Sequence, residues 1–393
     1  MARRLAPLYI ASALQWMNFW VGTDKPFMQS IGFTATLIGL AAAGYAIVAP
    51  SLEVPFGLLA DRWTRIGVLR VGAVALVLAV VLQGISTEPA SYVAGKLILA
   101  VFWAATSGTY ESLLYDTLAQ AGRQASFAAR LGWFRLIGMS GGALGALGGG
   151  VIATFNMRLN YALSAGTAIA ALAALLLVRE PRVHLAAPRT LAGGRLRATV
   201  ATIVQTPGVL RAVLGIAVCA ALLQAMLEFG QFWLLAAGGQ REWFGLGFAG
   251  LLIAAGMGGV ISSRLPWDRR AARRAVGGIA VAAALILSQP LPIGGVIVAQ
   301  SVLAACAAAF SVALTRGMHD HISSAVRTGV ASVAALVGWL AFLPLAVLSG
   351  WFFDLGGIAL LTVPVLALAV AAGALASRST YSTLLSPRGM GLS

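Results

Sequence analysis

Ile358-Ala-Leu-Leu-Thr-Val-Pro-Val-Leu-Ala-Leu-Ala-Val-Ala-Ala-Gly-Ala-Leu375 runs 18 residues without an ionisable side chain. At about 1.5 Å per residue, a helix of this length nearly crosses a hydrocarbon layer of about 30 Å. Its polar side chains end at Thr362, so it has no face suited to water. Val68–Ile85 is a second such run, with Arg70 near its start. The whole chain has the same bias: of 393 residues, 60% are hydrophobic and 10% charged. A soluble domain carries about 25% charged residues to wet its surface. The solvent for much of this exterior is therefore lipid, where only helices and closed barrels satisfy their own backbone. A barrel needs strands of about ten residues that alternate in polarity. The long unbroken runs predict an all-α membrane bundle instead.

Breaks in apolar character predict about twelve spans, at 6–28, 34–60, 66–86, 91–119, 128–154, 158–178, 208–236, 242–264, 275–289, 292–316, 324–350 and 355–377. The opening Met1-Ala-Arg-Arg4 and its apolar run imitate a secretory leader. Because the run continues past Gln15, Trp16 and Asn18 to about Gly22, it is read as the first span. A polar stretch from Arg179 to Pro207 separates the sixth span from the seventh. The expected organisation is a bundle over 1–180, a cytoplasmic linker over 181–207 and a second bundle over 208–393.

The net charge of +15 raises the question of nucleic acid. The arginines answer it, because they fall in short clusters between spans and not on one basic domain. Alternate loops hold Arg3/Arg4, Arg62/Arg65/Arg70, Arg123/Arg130, the linker, Arg264/Arg269/Arg270/Arg273/Arg274, Arg316/Arg327 and Arg378/Arg388; the others hold only Lys25, Arg158 and Arg241. This asymmetry orients the first group to the cytoplasm, with both termini inside and an inner-membrane location. Cys219 and Cys306 lie within apolar spans, which excludes a disulfide framework. His319, Asp320 and His321 are too closely spaced to share a metal. There is no phosphate-cradling loop for ATP and no nucleophile–base pair, so neither cofactor nor enzyme chemistry is expected.

Gly57-Leu-Leu-Ala-Asp61-Arg62 ends the second span, and Gly259-Val-Ile-Ser-Ser263-Arg264 ends the eighth. This weak repeat suits two pseudo-symmetric six-helix bundles. Leu52-Glu-Val-Pro-Phe-Gly57-Leu-Leu-Ala-Asp61-Arg62-Trp-Thr-Arg65 resembles the signature joining the second and third helices of the major facilitator superfamily. Gly57, Asp61, Arg62 and Arg65 match it, whereas Trp63-Thr64 depart from the usual glycine. Ser107-Gly-Thr-Tyr-Glu-Ser-Leu-Leu-Tyr-Asp116 is similar to a fourth-helix pattern of a bacterial branch. His321-Ile-Ser-Ser-Ala-Val-Arg327-Thr-Gly-Val-Ala-Ser332 resembles the entry to the eleventh helix. The resemblance implies a secondary transporter working by alternating access, of the drug/proton-antiporter-like type. Gly57, Asp61, Arg62, Arg65, Asp116 and Arg327 would then form a cytoplasmic gate, with Gly57 letting helices approach. An interfacial ion pair that fixes topology is the plainer reading of Asp61-Arg62. Asp116 suits pairing with a loop arginine.

Glycines 138, 141, 142, 145, 148, 149 and 150 crowd the fifth span. The family's antiporters have a glycine-rich stretch here, usually with a proline. None stands within Gly138–Gly150, so close helix packing is the simpler reading.

Ionisable groups at mid-depth cost several kcal/mol unless paired or hydrated, so each is a functional candidate. Proton coupling is expected of Glu228, Glu111, Lys96 and Glu53. Each has a plainer alternative: Arg135 neutralises Glu111, Lys96 snorkels to the outer interface, and Glu53 serves helix packing. Gln224, Glu228 and Gln231 share one face of the seventh span, flanked by Phe229 and Trp233. The resemblance turns this face toward substrate, opposite Gln15, Trp16 and Asn18 of the first span. A carboxylate among aromatics suits an organic cation. If these amides instead bond between helices, the aromatics face lipid. The expected function is proton-coupled export of a small amphipathic molecule by a monomer in the bilayer. The alternatives are proton-coupled uptake of a sugar, organic acid or other nutrient, and a membrane sensor or scaffold.

Overall fold

A computed structural model describes residues 2–181, 192–320, 322 and 324–377. Fourteen helices are defined among them, and no strand. They are α1 (Ala2–Trp16), α2 (Asp24–Ser30), α3 (Ala35–Arg62), α4 (Arg65–Ile85), α5 (Pro89–Thr106), α6 (Thr109–Gln120) and α7 (Phe127–Phe155). The series continues with α8 (Met157–Leu176), α9 (Ala192–Gln205), α10 (Pro207–Ala236), α11 (Arg241–Ser262), α12 (Arg270–Leu287), α13 (Ile293–Asp320) and α14 (Ser324–Ser377). Nine segments among the described residues are long and apolar enough to cross a membrane. One of them, Gly329–Leu375, has 47 residues, and α14 is non-helical at Gly356 and Gly357, at the start of the twelfth expected span. Side chains such as Leu78, Leu144, Val260 and Val298 lie exposed, as lipid permits and water does not.

Local chemistry sets the boundaries. Pro89 and Pro207 open α5 and α10, where a missing N–H costs nothing. Thr64 caps α4 by accepting from the Gly67 N–H at 2.9 Å, and Asn156 caps α8 by accepting from Arg158 at 2.9 Å.

The chain divides into two compact units. Unit 1 comprises 1–34, 44–189 and 239–249; unit 2 comprises 35–43, 190–238 and 250–393. In unit 1, Leu5, Leu8 and Ala11 of α1 share a core with Ile66 and Leu69 of α4, Leu113 and Leu114 of α6 and Leu175 of α8. The start of α11 belongs here too, where Arg241 donates to the Ala153 carbonyl at 2.9 Å. In unit 2, Val209, Ala212 and Val213 of α10 pack with Met318, Val330 and Ala334. The first turns of α3 belong to this unit. Asp354 caps them, accepting from the Ala35 and Thr36 N–H groups at 3.1 and 2.7 Å and from the Thr36 hydroxyl at 2.6 Å.

Three local expectations are corrected. The first span is not one helix, since α1 stops at Trp16 and α2 starts at Asp24. The fourth is broken between Thr106 and Thr109. The stretch read as a linker contains α9, whose Ile203 is buried in the core of unit 2; its earlier part, with Arg182 and Arg189, lies outside the described residues.

Candidate functional site

The first-span break is built by its neighbours. A Cβ on Gly141 would overlap the Ala13 carbonyl oxygen, and one on Gly149 would overlap that of Phe19. At Gly145 it would lie 2.8 Å from the Asn18 nitrogen. The glycine-rich face of α7 thus admits non-helical backbone at contact distance. The backbone groups freed by the break find partners. Ser164 accepts from the Phe19 N–H at 2.9 Å, Thr167 donates to the Met17 carbonyl at 3.1 Å, and Asn18 donates to the Gln15 carbonyl at 2.9 Å. Asn18 is therefore engaged within the break itself. The Gln15 side chain is buried and accepts a hydrogen bond from the Tyr110 hydroxyl.

Trp16 behaves differently. Its ring is 46% exposed and meets Trp103 edge-on, with centroids 5.4 Å apart. Ser107 and Gly108, which form the fourth-span break one turn beyond Trp103, are exposed too. Gly108 has φ 68°, a left-handed conformation that suits glycine. Glu53 of α3 is exposed.

The other charged candidates separate. Arg135 donates to Glu111 at 2.7 Å, the pairing weighed as the plainer reading, and both side chains are open to solvent. Lys96 is buried, its ammonium 6.0 Å from the centre of the Tyr45 ring. Lys25, read in the sequence as a charge of an outer loop, is buried and joined to its buried neighbour Asp24 at 2.7 Å.

Where α3 meets α4 in unit 1, Arg65 bonds the Asp116 carboxylate and donates to the Ser112 carbonyl at 2.8 Å. Glu180 caps α4, its two oxygens accepting from the Arg65 and Ile66 N–H groups at 3.0 and 2.9 Å. Sequence reasoning missed Glu180; its place beside the helix-joining signature emerges only in the fold. Asp61 and Arg62 lie exposed, with no hydrogen bond or ion pair among the described residues. The expectation that Gly57 admits a close neighbour is corrected, since a Cβ there would meet nothing within 4 Å. Arg327 lies at the start of α14, where its side chain is outside the described set.

In unit 2, the α10 stripe divides. Gln224 and Glu228 are partly exposed. Gln231 and Trp233 are buried, and the Trp233 indole donates to the Leu287 carbonyl at 3.0 Å. That ring ties helices together inside unit 2. Gln300 performs a similar service, donating to the Gly230 carbonyl at 2.8 Å. No cluster of three or more metal-ligating side chains exists among the described residues.

Residues 5–339 match the model of the Major Facilitator Superfamily. The chain belongs to the major facilitator superfamily. This facilitator is accordingly a multi-pass membrane transporter and not an enzyme. No curated protein matches it. Among solved structures, the nucleoside transporter NupG is similar at TM-score 0.75 and 17% identity, over 96% of this chain and 98% of that one. The D-xylose-proton symporter is similar at 0.74 and 12%, over 94% and 96%. A bacterial homologue of the human lysosomal transporter Spinster, inward-facing and unoccupied, gives 0.72 and 15%, over 98% and 97%. Identities this low speak to the fold alone.

Proposed function

We propose that this facilitator is a proton-coupled secondary transporter that exports a small amphipathic molecule by alternating access, as a monomer in the inner membrane with both termini in the cytoplasm. The observation that carries the reading is Glu228, the one carboxylate in the 30-residue α10, partly exposed on a largely apolar helix. A carboxylate at such depth is costly unless it meets water, a cation or a proton. Glu228 takes up and releases the coupling proton, while the exposed aromatics and polar groups of unit 1 meet substrate. Glu111, held by Arg135, and buried Lys96 set the electrostatics around that path. Arg65 with Asp116, beside exposed Asp61 and Arg62, acts as the latch at the α3–α4 end of unit 1.

A second reading, uptake of an uncharged solute by symport, is favoured by the fold-level likeness to a nucleoside transporter and to a D-xylose-proton symporter. Proteoliposomes with an imposed pH gradient separate the two. Export coupled to protons predicts that organic cations accumulate on the acidic side of the membrane. Accumulation of xylose or uridine on the alkaline side favours the second reading. If no solute moves in response to the gradient, both fail.

A further inference from the structure

The corner between α11 and α12, within unit 2, gathers charge of one sign. Between Ser262 and Ala275 the chain holds five arginines and a single carboxylate, Asp268. Arg273 turns inward: it is buried and donates to the Trp267 and Asp268 carbonyls at 2.5 and 2.9 Å. The Trp267 indole donates to the Ser262 carbonyl at 2.7 Å, and the Ser262 hydroxyl to the Ala309 carbonyl of α13 at 2.7 Å. The corner is thus fastened in place. Arg264, Arg269, Arg270 and Arg274 are exposed, and none makes a hydrogen bond or ion pair among the described residues. Arg269 is the N-cap of α12, and no acidic side chain stands in the first turn. A helix N-terminus already carries partial positive charge, so these cations repel it as well as one another.

Two further features point to what offsets this charge. The apolar part of α12 after Arg274 covers 275–287, about 20 Å of helix. That is short of a hydrocarbon layer of about 30 Å, which draws the arginines down to the level of the headgroups. Arg270, Arg274, Gly278, Ala282 and Leu285, spaced four, four, four and three, share one helix face, and all are exposed. No heavy atom lies within 4 Å of where a Gly278 Cβ would stand. The face is cationic at one end, then smooth and apolar for about two turns. We propose that it seats an anionic phospholipid. Arg270 and Arg274 hold the phosphate through their planar forks, Arg264 and Arg269 add to the field, and an acyl chain lies along Gly278, Ala282 and Leu285. A zwitterionic lipid brings its own ammonium and gains less here. A water-soluble phosphate leaves the apolar strip unused.

The test titrates the full chain in detergent micelles with dioleoyl phosphatidylglycerol or dioleoyl phosphatidylcholine and counts bound lipid by native mass spectrometry. Phosphatidylglycerol is expected to bind about tenfold more tightly than phosphatidylcholine. The double variant Arg270→Gln/Arg274→Gln should lose that preference. Gly278→Phe, which fills the open strip and leaves every arginine in place, should weaken phosphatidylglycerol by about tenfold. Arg123→Gln, which removes an exposed cation of unit 1, should leave binding unchanged. Inorganic phosphate in excess should not displace the lipid. Equal binding of the two lipids, displacement by phosphate, or an equal loss in Arg123→Gln overturns the site. Undiminished binding in Gly278→Phe does the same, and that variant decides alone if the double variant fails to fold.

Discussion

At the scale of single residues, steric allowance decides more than charge does. Gly149 stands where any side chain would collide with the Phe19 carbonyl, while Gly132 on the same helix faces open space. Gly149→Val is expected to destabilise the protein by about 2–4 kcal/mol, or to prevent folding, because backbone cannot yield as a flexible side chain can. Gly132→Ala should be neutral or stabilise by up to about 1 kcal/mol, the difference in helix propensity. Thermal unfolding in detergent reads both. The sequence announced the glycine-rich face and its packing role, because their spacing is visible along one helix. It could not announce Glu180, whose carboxylate meets α4 across more than 110 residues of chain. Nor did it show that Asp24 and Lys25 turn inward, because short charged stretches between apolar runs read as loops.

Among the elements, the interrupted first span is the main departure from what hydropathy foretold. Apolar length predicts that a segment enters the membrane, but it averages over the residues that decide whether the helix continues. Here the segment between Trp16 and Asp24 is mostly apolar, so its run looked unbroken. The hydroxyls that sustain the break come from α8, where Ser164 and Thr167 lie three apart and face the same segment. Replacing the buried Ser164 with alanine leaves the Phe19 N–H without its partner and is expected to cost about 1–3 kcal/mol. Ser164→Ala combined with Thr167→Ala should cost more than either alone. Chemical denaturation in mixed micelles checks this, and equal stability of the double variant and the parent would contradict it. The fourth-span break was equally hidden, although Ser107-Gly108 had been singled out for its likeness to a family pattern.

For the whole molecule, composition and the basic clusters already implied a helical membrane protein. Family membership and the neighbours' folds agree with the major facilitator resemblance. The functional face was less legible, because a helical stripe gives neighbours along one helix and not what lies opposite. Trp233 shows the difficulty: it flanks the stripe that holds Glu228, yet its indole is bonded inside unit 2. Glu228 therefore has to be tested by its charge and not by its position. The direct measurement follows lumenal pH in proteoliposomes, with a trapped fluorescent indicator, when an organic cation is added outside. Proton movement that depends on the cation in the parent, lost in Glu228→Gln while that variant still exchanges labelled for unlabelled cation, is the predicted result. Cation movement with no accompanying proton flux in the parent, or coupling intact in Glu228→Gln, would contradict the account.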